Sequence, residues 1–320
     1  MTYSVGGNIQ ASDITGLVGT SPGTTSNKLN TVWAVGGSSA GYGQSAITVP
    51  SVGAKIAATD WSTLVSATAN SAAHQSTSIS AMTTPAAGGS VAYQSALTTN
   101  ITSIYTNKLN AVAQGTSAPT ILTNTSTVWN NYCRFDFTVA FASGDEARYF
   151  FNAGGQLAFT CYHTPGANIY DTMFYELAGN VGTIVISSLS SSTATIVGTS
   201  YNGVTKVGGG GNAPTISTNS GYYGTAGANT TIFTQVASSG PSGYINSYIS
   251  LSSHTNGTVG SNADNGDRYY ASLLFQKQPA GGSLYMLADT TATLTVRPPS
   301  TTYVANTWHT VSVSGSVTAT

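Results

Sequence analysis

Charge is the scarcest property of this chain. Nine Lys and Arg and ten Asp and Glu make up 6% of 320 residues, against roughly 25% in an ordinary globular protein. The five lysines, Lys28, Lys55, Lys108, Lys206 and Lys277, lie far apart in sequence, so there is no basic patch to steer nucleic acid. No amphipathic basic helix suggests a membrane surface, and no apolar run approaches the roughly 18 residues of a membrane span. The opening MTYSVGGNIQASD has neither a basic n-region nor an apolar h-region. The expectation is a protein made in a cytoplasm and not exported by the ordinary route. Cysteine is nearly absent too. Cys133 and Cys161 both fall in strand-like alternations and read as two small buried hydrophobes, with a cross-strand disulfide as the alternative. His163 is the histidine nearest Cys161, but no recognised metal-ligand spacing results, and no metal or cofactor is expected.

Core-forming side chains are plentiful. Eighteen Tyr, nine Phe and four Trp, interleaved with Val, Ile and Leu, separate the chain from a disordered tract. With so few charges it must stay soluble through hydroxyls and amides, or bury surface in an assembly. Assembly is the larger part of the expectation, because strands almost free of Lys and Glu lack the usual charged protection of sheet edges.

The first third reads as helix and loop. IQASDITGL (9–17) and IAATDWSTL (56–64) share a pattern in which Ser12 or Asp13, and Thr59 or Asp60, are candidate helix caps. Trp61, Leu64, Val65 and Ala69 then mark one helix face, with Thr68 narrowing the stripe. Tyr93, Leu97, Ile101, Ile104 and Tyr105 mark another. The echo of SNKLN (26–30) in TNKLN (106–110) suggests a duplicated helix–loop unit. These Thr-, Ser- and Asn-rich helices are weak formers and need packing partners.

From about residue 115 the period switches to two. CRFDFTVAF places Cys133, Phe135, Phe137, Val139 and Phe141 on one face of a half-buried strand. SGDEA (143–147) reads as a turn, with RYFF (148–151) and QLAFTC (156–161) as strands around NAGG. Further strand-like runs are TIVIS (183–187), TIFTQV (231–236), YINSYISL (244–251), RYYASLLFQ (268–276), TATLTVR (291–297) and a closing strand that takes in His309. A helix interrupts them near DTMFYELAG (171–179). The fold expected is mainly β: an antiparallel β-sandwich of Greek-key type (116–320), preceded by a small helical attachment or oligomerisation region (1–115).

Chemistry is poorly supported. Glu146 and Glu176 are the only glutamates. Asp145 and Glu146 are adjacent, so they are ill placed as an acid–base pair, and Arg148 is their expected partner. No Gly-x-Ser-x-Gly elbow appears, and His74, His163, His254 and His309 lack a catalytic motif. VGGGGN (207–212) lacks the Lys-Ser/Thr of a phosphate loop. SNADNGD (261–267) lacks the spacing and bidentate Glu of a calcium loop. No catalytic, cofactor-binding or metal residues are assigned. The Tyr-rich loops NSGYYGTAGAN (219–229) and PSGYINSY (241–248) suit either the capping of the core or contact with glycan.

ARYFFNAGGQLAFT (147–160) resembles a segment of virion structural proteins of tailed bacteriophages, especially contractile-tailed cyanobacterial and marine phages. ASDITGL, GYGQS and KIAATDWSTLVSATANSAAHQS are similar to the leading part of such proteins. The resemblance implies a non-enzymatic tail, baseplate, neck or fibre component located in the virion. It would act as a homo-oligomer, trimeric or otherwise, bound to other phage proteins. The alternative is a host-receptor module that binds surface glycan.

Overall fold

The computed structural model describes residues 11–84, 86, 94–115, 120–189, 193–217, 221–225, 227–280 and 284–320. Four helices come first: α1 (Ala11–Val18), α2 (Leu29–Trp33), α3 (Ala58–Gln75) and α4 (Gln94–Thr106). Along α3 the buried stripe runs through Trp61, Leu64, Val65 and then Thr68, whereas Ala69 is exposed. Seven residues nearly complete two helical turns, so the +7 position stays on the stripe. The buried Thr68 hydroxyl donates to the Leu64 carbonyl at 2.7 Å. Asp60 caps α3 from within its first turn, its Oδ2 accepting the Ala57 N–H at 2.8 Å. Ser12 and Asp13 lie inside α1 and do not precede it. Tyr93 lies outside the described residues; Leu97, Ile101 and Ile104 carry the α4 stripe and Tyr105 is half-buried. The two NKLN echoes occupy different places, since Leu29 opens α2 and Leu109 follows α4.

Burial explains why weak helices hold. Ile14, Leu17, Val18, Leu29, Trp61, Leu64, Leu97 and Ile101 form a small apolar cluster of their own. Val32, Tyr42, Ala72 and Ile104 belong instead to the main core. The helices therefore pack on one another and on the body.

The described residues from 120 onward form thirteen strands. In chain order these are β1 (Thr120–Ser126), β2 (Tyr132–Ala140), β3 (Gln156–His163), β4 (Thr183–Ile186), β5 (Ala194–Ile196), β6 (Thr199–Tyr201) and β7 (Val204–Val207). They continue with β8 (Thr215–Ile216), β9 (Thr230–Val236), β10 (Tyr248–Thr255), β11 (Arg268–Gln276), β12 (Thr290–Arg297) and β13 (Ser312–Ala319). One antiparallel sheet runs β1-β12-β3-β4-β7, a second runs β13-β2-β11-β10-β9-β8, and β5 and β6 form a separate hairpin. The architecture is an antiparallel β-sandwich. Its inner faces are the alternations visible in sequence: Cys133, Phe135, Phe137 and Val139 beside Tyr269, Ala271, Leu273 and Phe275, all buried. Leu157, Phe159, Leu294 and Val296 face them from the other sheet, with the Phe137 and Phe159 rings 5.7 Å apart edge to face. The sheets meet where β1 lies beside β13. A later helix, α6 (Ile169–Val181), packs against β3 of one sheet and β9 and β10 of the other. Asn168 caps it, accepting the N–H groups of Tyr170 and Asp171 at 2.9 and 2.8 Å.

Three segments differ from the sequence expectation. Residues 144–152 are a helix, α5 (Gly144–Asn152), where a turn and a strand were expected. The Ser143 hydroxyl accepts the Glu146 N–H at 3.2 Å, and Asp145 and Glu146 sit in the first turn, where carboxylates favour a helix. Phe150 and Phe151 are consequently both buried, one against Phe141 at 5.3 Å and the other stacked on Tyr222 at 4.3 Å. In YINSYISL, the first four residues form a turn closed by the Ser247 N–H on the Tyr244 carbonyl, and the strand begins at Tyr248. His309 precedes β13 with φ 48°, outside any strand. Cys133 and Cys161 are both free thiols and belong to strands of opposite sheets.

Candidate functional site

GYGQ, the end of α3 and the RYFFN segment meet at one place. Helix α5 turns Arg148 inward, where it is fully buried. Its guanidinium binds the carbonyls of Gly36 and Ala40, the latter at 3.1 Å, and pairs with Asp145 Oδ1 at 2.9 Å. One turn along, Asn152 Nδ2 reaches the Gly41 carbonyl at 3.3 Å. Tyr223 Oη lies 2.6 Å from the Ser38 carbonyl and 2.8 Å from Asn152 Oδ1. The RYFFN segment thus grips the backbone of residues 36–41.

GYGQ continues the junction. Tyr42 is buried; its hydroxyl donates to the Lys108 carbonyl and accepts Gln75 Nε2, each at 2.8 Å. Burial pushes its phenol up in pKa, against the smaller opposing effect of the Gln75 bond. Gln44 pairs with both backbone groups of Ala305, at 2.9 and 3.0 Å, and so pins the approach to β13. His74, at the end of α3, places Nε2 3.0 Å from the Ala153 carbonyl and packs edge-on to Tyr42. Burial lowers its pKa to about 4, outweighing the backbone bond that would raise it, so the neutral ring donates from Nε2. Segments 36–44, 74–75, 148–153 and 305 are locked together by side chains that satisfy main-chain groups. That is a rigid joint between the helical region and the sandwich.

Two glycines let the motif make its corner. Gly154 has φ +94°, and a Cβ there would lie 2.5 Å from the Ala111 Cβ. A Cβ on Gly155 would lie 2.5 Å from the Phe150 ring. The two glycines join α5 to β3, where NAGG was expected to join two strands.

A second polar chain was not legible in sequence. His163 Nε2 is 3.0 Å from Asp171 Oδ1, and its Nδ1 is 2.7 Å from Thr290 Oγ1. Asp171 also accepts the Leu287 N–H at 3.0 Å. The order hydroxyl, imidazole, carboxylate is that of a nucleophilic triad. Its setting is wrong for one: Thr290 has no exposed surface, and its oxygen already accepts the Trp129 indole N–H at 2.8 Å. Burial lowers the His163 pKa despite the nearby carboxylate. The three residues meet only through the β3–β12 register, which pairs His163 with Thr290, and through α6.

The remaining candidates are also absorbed by the fold. Glu146 parts from Asp145 and meets His309 Nδ1 at 3.1 Å, so Arg148 pairs with Asp145 alone. His254 stacks on Tyr270. In SNADNGD, Asp264 accepts the Ser261 N–H at 2.7 Å and Asp267 accepts the Asn256 amide at 2.7 Å. Lys206, from the strand entering VGGGGN, donates to the Gly210 carbonyl and to Gln235. Tyr222 is buried, and Tyr244 packs on Tyr170 at 4.8 Å. Among the described residues, no three His, Cys, Asp or Glu side chains cluster to hold a metal, and no helix is long and apolar enough to cross a membrane. No family model, curated protein or solved structure matches this chain.

Proposed function

We propose that this protein is a non-enzymatic structural component of a tailed-phage particle, in the tail, neck, baseplate or fibre, and that it works by assembly with copies of itself. The observation that carries the reading is an apolar surface on α6 and the segment leading to β12. Ile169, Tyr285 and Leu287 are 58%, 49% and 64% exposed. They lie close together, because Asn168 binds the Tyr285 carbonyl and Asp171 the Leu287 N–H. Tyr162 and Tyr175 are also exposed and in edge contact at 6.0 Å, on the opposite flank of the buried α6 stripe from Ile169. A formal net charge of −1 gives copies of the chain little mutual repulsion to prevent association through this surface. Partner proteins of the particle would meet the helical region, whose rigid joint transmits load to the sandwich.

The decisive observations are the mass of the purified protein by light scattering and a cryo-EM map of intact particles containing this chain. A closed oligomer located in the tail or neck is the expected result. A persistent monomer absent from the particle defeats the reading. Reducing sugar released from host envelopes, and lost on a single Asp→Asn change, would make the protein an enzyme.

A further inference from the structure

A half-enclosed cavity of about 250 Å³ lies where the 24–40 loops, the end of α4 and the 260–262 loop meet. Among the described residues lining it, Lys108 is the one charged side chain and none is a carboxylate. The Lys108 ammonium sits 4.3 Å over the Tyr105 ring and makes one long hydrogen bond, 3.4 Å, to the Tyr105 carbonyl. An ammonium has three donors, so most of its capacity is unused. Two acids brace the 260–263 loop: Asp145 binds Arg148 and the Ala263 N–H, and Asp264 binds the Ser261 N–H. Around Lys108 stand hydroxyl and amide side chains, among them Thr24, Ser39, Ser261 and Asn262.

The walls are also held in place. Arg148 fixes the carbonyls of Gly36 and Ala40, and Tyr223 binds the Ser38 carbonyl. The Ser38 N–H bonds the Gly260 carbonyl, joining the two loops directly. A preorganised wall saves a ligand the cost of ordering it.

The geometry points to a binding site for a hydroxyl-rich monoanion the size of one sugar ring, a uronic or sialic acid. Its carboxylate pairs with Lys108, and its hydroxyls meet Ser39, Ser261, Asn262 and Thr24. The volume falls below the roughly 300–1,000 Å³ of pockets for drug-sized ligands, which limits the occupant to a single ring. One ammonium, with no Arg fork among the described residues lining the cavity, matches one negative charge better than a phosphate dianion. The site is independent of membership in a phage particle.

The test is ligand-observed NMR titration of the full chain with glucuronic acid, glucose and glycerol phosphate. Glucuronic acid should bind about tenfold tighter than glucose and lose affinity as salt rises. Lys108→Met should abolish that preference with an unchanged thermal unfolding curve, while Lys55→Met, at an exposed lysine elsewhere, should keep it. Equal binding of glucuronic acid and glucose, or full binding by a folded Lys108→Met protein, would overturn the site. Tighter binding of glycerol phosphate would overturn the carboxylate assignment.

Discussion

Arg148 is a charged side chain with no exposed surface, and its position is tolerable only because acceptors surround it. Two main-chain carbonyls and the Asp145 carboxylate take hydrogen bonds from its two terminal nitrogens, while the buried Nε has no partner among the described residues. Removing the guanidinium leaves those carbonyls without their donor and the partly buried Asp145 carboxylate with the Ala263 N–H but no countercharge, which is costlier than the bonds alone. Arg148→Met should therefore destabilise the protein by about 2–4 kcal/mol, read as a lower urea midpoint; a midpoint within error of wild type would show the joint to be dispensable. His74 gives a pH dependence of definite sign. Its pKa falls from 6.5 unfolded to about 4 folded, so between those values the unfolded chain binds more protons. Its contribution is fully present above pH 6.5 and is lost as pH falls toward 4, roughly 3 kcal/mol in all. His163, also lowered, acts in the same direction. Urea midpoints at pH 7 and pH 4.5 should differ less in His74→Gln than in wild type, and an unchanged difference would assign the acid sensitivity elsewhere.

At the scale of elements, the instructive case is α5. Three consecutive aromatics, Tyr149, Phe150 and Phe151, favour a strand by propensity. The same stretch carries Ser143 three residues before Glu146, the spacing of a helix N-terminal box, and that local signal matched the fold. The β2, β11 and β12 alternations were legible because one face of each meets the core, whereas β3 is buried on both faces from Gln156 to Phe159, with Ala158 in a second cluster beside Ala111 and Ile196. Element ends yield two predictions. Asp60→Ala removes the acceptor for the Ala57 N–H and should cost about 1 kcal/mol, with faster hydrogen exchange confined to the first turn of α3. Gly155→Val forces a side chain into the Phe150 ring and should cost on the order of 3 kcal/mol or prevent folding; a soluble variant with wild-type stability would mean the α5–β3 corner can relax.

At the scale of the whole molecule, strands from the two ends of the β region are interleaved. β2 lies between β13 and β11, and β12 lies between β1 and β3. Residues 120–163 therefore cannot complete either sheet without residues 268–319. The apolar surface of Ile169, Tyr285 and Leu287 is a property of this closed body, since its members come from α6 and from the segment before β12. If it buries against a second copy, Leu287→Lys should shift the protein toward monomer in light scattering while leaving the unfolding midpoint of the monomer unchanged. An unaltered mass distribution would move the interface elsewhere.

By itself the sequence determined the class of the fold, because alternating apolar residues and a shortage of charge leave few ways to bury so much aromatic surface. It also determined the ion pair of Asp145 with Arg148 and the Gly154–Gly155 corner, which are local in the chain. Tertiary structure alone decided what the distant residues do. Tyr42, Gln44, His74, Asn152 and Tyr223 become one joint, His163 meets Asp171 and Thr290, and Lys108 faces a hydroxyl-lined cavity, because sheet register and helix packing bring them together. Contacts of that kind have no periodicity to betray them; they are fixed by three-dimensional closure, which satisfies buried polar groups that the linear chain leaves unpaired.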